Sequence, residues 1–93
     1  MAKIVVVAKC HDQAKWEAGF LTHADLFRNE YGVTKPISYG LGDDHHVVAC
    51  FEVTDPAASM NALNAPATAQ AMQSDGLIAD TVKIFVLDKE LNV

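Results

Sequence analysis

Positive charge is scarce in this chain. Seven Lys and Arg stand against twelve Asp and Glu, giving a net charge of −5 over 93 residues. Phosphate backbones are gripped by basic surfaces, so this balance argues against nucleic acid as a partner. Long hydrophobic runs are missing too. The first apolar stretch, Ile4 to Ala8, stops at Lys9. A signal-peptide core takes about 7–15 apolar residues and a membrane helix about 18, so the expectation is a cytoplasmic chain with no membrane span. Cys10 and Cys50 lack CxxC spacing and predict two small buried thiols, with too few ligands around them for a structural zinc site. The five glycines are scattered, which excludes a glycine-rich phosphate loop. Neither serine-bearing stretch, Ile37-Ser38-Tyr39 nor Ala58-Ser59-Met60, resembles a nucleophile elbow.

What is present is a core. Apolar residues make up 51% of the chain and charged ones 20%, a composition that folds rather than stays disordered. The length fits one domain, residues 1–93. Residues 3–10 are β-branched and predict a buried strand. Asp12 is a good N-cap for a helix from Gln13 to about Glu30. Trp16, Phe20, His23, Ala24, Phe27 and Tyr31 form one stripe on it, and Gly32 ends it. Val33–Leu41 and His45–Val53 predict a hairpin around Gly42-Asp43-Asp44. Asp55-Pro56 starts a helix running to about Asn64. Pro66 starts a shorter helical piece, which Gly76 ends. Ile78–Leu87 predict the last strand. The order β-α-β-β-α-β makes an α+β, ferredoxin-like plait: a four-stranded antiparallel sheet with the helices on one face.

Alternation divides the strands between two faces. Ile4, Val6, Ala8, Val47, Ala49, Phe51, Val53, Val82, Ile84 and Val86 are all apolar and belong under the helices. The opposite set is Val5, Val7, Lys9, His46, Val48, Cys50, Glu52, Lys83, Phe85 and Leu87. It is mixed, yet too apolar to meet water as one patch. A second copy is the simplest cover, and two such sheets facing each other close into a barrel. A homodimer is therefore expected; an open plait with a partly apolar back is the alternative.

The residues also carry a resemblance. Asp12-x3-Trp16-x3-Phe20-x2-His23-x4-Arg28 followed by Gly32-Val33 resembles the first helix of the dimeric α/β-barrel superfamily. Val48-x2-Phe51-Glu52-Val53-x-Asp55, the helix at Pro66 and the Met72-x3-Gly76 ending are similar to the same superfamily, so the likeness spans about residues 3–88. That superfamily includes antibiotic-biosynthesis monooxygenases, stress-responsive barrel proteins, polyketide cyclases and muconolactone isomerases. The resemblance implies a homodimer with a ligand cavity, between helix and sheet or inside the barrel. For an enzyme, it implies chemistry without a bound cofactor.

His23 and His46 are the acid/base candidates. A histidine inside an apolar stripe either bonds a backbone carbonyl at the core's edge or borders a cavity. Trp16, Phe20, Phe27 and Tyr39 would shape an aromatic pocket. Tyr39 is either packing or a donor to a ligand oxygen. Glu52 and Lys83 share the mixed face with Lys9; they either form ion pairs at the dimer interface or orient a ligand. His11 reads as a loop histidine and Arg28 as a surface ion-pair residue. His45 and His46 are neighbours on a strand, point apart and do not share a metal, so no metal site is expected. The function expected is binding of a small, largely apolar organic compound, with or without proton transfer or oxygenation. The alternative is a non-catalytic binding or stress-related dimer.

Overall fold

The computed structural model describes residues 2–93. Its elements run β1 (Ala2–Lys9), α1 (Gln13–Phe20), α2 (Ala24–Glu30), β2 (Ser38–Leu41), β3 (His46–Val53), α3 (Pro56–Leu63), α4 (Pro66–Ser74), a 3-10 turn (Ala79–Thr81) and β4 (Lys83–Leu87). The strands form one antiparallel sheet in the order β2-β3-β1-β4. This is the predicted α+β plait.

Register puts the two faces where alternation places them. Ile4 lies opposite Phe51 and Val86, and Val6 opposite Ala49 and Ile84. On the other face Val5 lies opposite Cys50 and Phe85, and Val7 opposite Val48 and Lys83. The helix-side set makes the core in two clusters. Ile4, Phe51 and Val53 pack with Tyr31, Val33 and Leu63. Ala8 and Val47 pack with Cys10 and Trp16. Tyr31 ties the layers together: its hydroxyl meets Thr68 of α4 and its carbonyl accepts from Ser59 Oγ of α3 at 2.7 Å. Tyr31, Ser59 and Thr68 thus satisfy one another's buried polar groups, with the Ala62 carbonyl taking the Thr68 hydroxyl at 2.8 Å.

Four boundaries differ from the sequence reading. The helix expected over Gln13–Glu30 is two helices, broken at Leu21–His23. At the break Thr22 Oγ1 donates to the Gly19 carbonyl at 2.6 Å, and the backbone switches to i→i+3 bonds at Thr22 and His23. A hydroxyl that competes for a backbone carbonyl, next to glycine, ends a helix. The second strand is shorter, because Val33 turns into the core and Pro36 cannot donate to a ladder. The last strand starts at Lys83 rather than Ile78, since Thr81 Oγ1 closes a turn on the Ile78 carbonyl. His45 lies outside β3.

That last departure is a strained turn. Asp44 and His45 have φ of 55° and 60°, and His46 N–H donates to Asp43 O at 3.1 Å. Two successive residues in the left-handed region make a type I′ hairpin turn, whose usual second residue is glycine. Cys50 also departs from expectation: Cys10 is buried in the core, but Cys50 is half-buried on the open face.

A non-glycine residue in the left-handed region costs about 1–2 kcal/mol, and glycine loosens the unfolded chain by about 0.4–1. His45→Gly is expected to stabilise the protein by roughly 0.5–1 kcal/mol, read as a higher midpoint in urea unfolding.

Candidate functional site

The helix break decides what His23 does. As the N-cap of α2 it makes no capping bond with its side chain. Its Nδ1 sits 3.2 Å from Asp75 Oδ2 instead. Asp75 is 7% exposed at the end of α4. A Schellman motif fixes it there: Gly76 N–H reaches Gln73 O at 3.0 Å and Leu77 N–H reaches Met72 O at 3.0 Å, with Gly76 at φ 82°. Gly19 of α1 gives the carboxylate room. A Cβ built there would stand 2.1 Å from Asp75 Oδ1. Burial pushes the Asp75 carboxyl above its ordinary pKa, and the neighbouring imidazole pulls the other way.

Around this pair the walls are apolar. A cavity of about 60 Å³ lies between α1, α2, α4 and the sheet, bordered by Trp16, Phe20, His23, Phe27, Met72 and Asp75 among others. Trp16 stacks on Phe20 at 4.7 Å, and Phe20 meets Phe27 edge-on at 5.5 Å. Tyr39, on the edge strand, leans on Phe20 at 5.2 Å. Its hydroxyl donates to Glu17 Oε2 at 2.5 Å, which raises the Tyr39 pKa. Beyond Phe20 and Phe27 a second, open groove of about 550 Å³ runs along the helix break.

The predicted residues therefore divide. His23, Trp16, Phe20 and Phe27 meet at the cavity, and Tyr39 meets their outer edge. His46 does not join them. It lies opposite Lys9 on the other side of the sheet, with Nδ1 3.0 Å from the Asp43 carbonyl. It is the immediate neighbour of Val47 on β3, and on a strand one step is a whole face. Glu52 and Lys83 are on that other face as well. Glu52 pairs with Lys35 at 3.0 Å, which lowers its pKa. Lys9 pairs with Asp44 at 2.9 Å, and Arg28 with Asp25 at 2.8 Å, the surface pair expected of it. No group of three or more potential metal ligands forms among the described residues. Asp75 is the residue that sequence reasoning missed. Its signal was slight: a carboxylate at the C-cap just before a helix-ending glycine, where the dipole gives it no support.

The sequence matches no family model and no curated protein. Solved structures do match it. SnoaB, a cofactor-independent oxygenase from Streptomyces nogalater, superposes with a TM-score of 0.71 at 18% identity, over 99% of this chain and 95% of that one. A Bordetella bronchiseptica protein named for antibiotic biosynthesis monooxygenases gives 0.74 at 11% identity, over 97% of each. A dimeric ferredoxin-like protein of unknown function from Jannaschia gives 0.63 at 16%, over 95% of this chain and 98% of that one. The chain has their ferredoxin-like fold. Its structural neighbours are antibiotic-biosynthesis-monooxygenase-like proteins, and the likeness reaches the fold and stops there.

Two outcomes are expected. Gly19→Ala gains helix propensity of about 1 kcal/mol but displaces the Asp75 carboxylate, and changed chemical shifts of the His23 ring in the variant report the lost contact. Asp75→Asn tests the burial of charge. Below the ordinary carboxylate value of 3.8 the group is neutral in both folded and unfolded chains. As pH rises through the higher folded value, the folded state alone carries the desolvation cost, so stability falls. Melting curves should coincide near the acid end and favour the Asn variant increasingly toward neutral pH. A variant that loses stability as pH rises would contradict this.

Proposed function

We propose that the chain binds a small aromatic or largely apolar organic molecule against Trp16, Phe20 and Phe27 and moves a proton on it with His23, as one subunit of a homodimer. The observation that carries this reading is the His23–Asp75 pair, 3.2 Å apart in an otherwise apolar wall. Asp75 engages Nδ1, which leaves Nε2 to accept a proton from an acidic O–H or C–H. The carboxylate stabilises the imidazolium that results. The rings hold the planar conjugate base and keep water from it. Such an enolate or phenolate is electron-rich. Dioxygen adding to its carbanion carbon and taking the proton back from His23 gives a hydroperoxide, a step in keeping with the oxygenase activity named for the Streptomyces protein.

One observation favours the second reading, a non-catalytic binding module. The cavity of about 60 Å³ is well below the roughly 300 Å³ of a small ligand site. A substrate must therefore part Phe20 and Phe27 and use the groove outside them.

The open sheet face supports the homodimer. Val48, Phe85 and Leu87 are 36%, 51% and 49% exposed, beside Val5, Val7 and Cys50. Covering each such side chain fully contributes about 1.5–3 kcal/mol before the cost of association. Lys9 and Glu52 at its margin already have partners, whereas Lys83, opposite Val7, is in no ion pair among the described residues and takes a carboxylate from the second copy on closure.

Anthrone, an enolisable tricyclic ketone, is a suitable probe of proton transfer. Deuterium exchange at its methylene, followed by NMR, should be accelerated by the protein and slowed about 10²–10⁴-fold by His23→Gln. His46→Ala should leave the rate unchanged. No acceleration over buffer, with binding retained, would favour the non-catalytic module. Sedimentation should give twice the chain mass, and Phe85→Asp should halve it; a 10.0 kDa wild-type species at micromolar concentration would refute the dimer.

A further inference from the structure

The groove outside the cavity has a chemistry of its own. At about 550 Å³ it is the size of a ligand site. Its floor is apolar, from Phe20, Phe27, Val33 and Ile37. Its wall also carries Arg28 and Lys35 and includes no Asp or Glu. These are two of only seven basic residues on a chain of net charge −5. The groove lining thus offers cationic N–H donors and no carboxylate of its own, although Asp25 and Glu52 stand behind the two cations.

Both cations are available to a ligand. Arg28 is paired to Asp25 and Lys35 to Glu52, with cation side chains 63% and 58% exposed. The Arg28–Asp25 pair is exposed on both sides and worth about 0–1 kcal/mol, so Arg28 can exchange its carboxylate for an anion in the groove at little cost, while Lys35 keeps Glu52, whose Oε2 is buried, and offers its remaining N–H donors. Phe20 and Phe27 are shared walls of groove and cavity. A movement of those two rings makes one elongated site, with His23 at the inner end and the cations at the outer end.

We infer that the groove is a specificity subsite, and that the substrate is an elongated aromatic carboxylate. Its reactive ring lies against His23 and its acidic group lies between Arg28 and Lys35. This rests on the reading of the His23 cavity as the substrate site.

Two probes of one shape separate the two ideas. 8-Anilinonaphthalene-1-sulfonate is an aromatic anion, and N-phenyl-1-naphthylamine is its uncharged parent. Binding of each is read by quenching of Trp16, the lone tryptophan and a cavity wall. The sulfonate should bind more tightly than the amine, and added salt should weaken the sulfonate alone. Arg28→Gln with Lys35→Gln should weaken the sulfonate roughly tenfold. The amine's affinity should not change, and it doubles as the folding control. Equal binding of both probes, indifferent to the double variant, overturns the anionic subsite and leaves the His23 site standing. Quenching by neither probe overturns both readings. Sulfonate binding abolished by Phe85→Asp but untouched by the double variant would place the anion on the open sheet face and sink the proposal.

Discussion

Every part of this structure depends on strand alternation in β1, β3 and β4. Each residue faces either the helices or the opposite side, and one step in register exchanges the two sets. Ile4, Val6 and Ala8 meet Phe51, Ala49 and Val47 on the helix side. That pairing gives Trp16 and Phe27 a floor to pack on, and hence creates the wall in which His23 and Asp75 sit. The same alternation sends Val5, Val7, Phe85 and Leu87 to a face that no helix covers. Site and open face are thus two products of one period-two pattern.

The site itself is built from helix ends rather than helix faces. A helix unbroken from Gln13 to Glu30 would have kept His23 within a stripe of rings. The stop at Thr22 makes it an N-cap whose side chain is free to turn to another element. On the far side, a glycine at φ 82° ends α4 and leaves Asp75 beside it. A second glycine, Gly19, has no Cβ to block the carboxylate. Three local devices, each ordinary, converge on one histidine–carboxylate pair. A buried carboxylate costs desolvation energy, and neutral apolar residues would have filled the place at less cost. Its retention beside an imidazole is what makes the pair chemically suggestive.

Much of this was legible in the sequence. The two strand faces, the aromatic stripe and the capping residues Asp12 and Asp55 follow from periodicity and local hydrogen-bond chemistry. His46 shows the limit. Alternation assigned it to the far face and it lies there; what its type and neighbours did not tell is that the cavity forms on the helix side, across the sheet from it. Glu52 and Lys83 were assigned to that far face, and they stayed there. Asp75 shows the other limit, since nothing within a few residues of it mentions His23, fifty-two positions away.

The sequence by itself determined the alternating faces, the caps, the turn glycines and the class of fold, because these arise between residues close along the chain. Tertiary structure alone decided which histidine acquired a carboxylate, which aromatics enclosed it, and that the loop at Val33–Ile37 stands beside the helix break to form a groove. Those contacts join residues far apart in sequence. Their geometry is set by how the layers pack, and no local pattern encodes it.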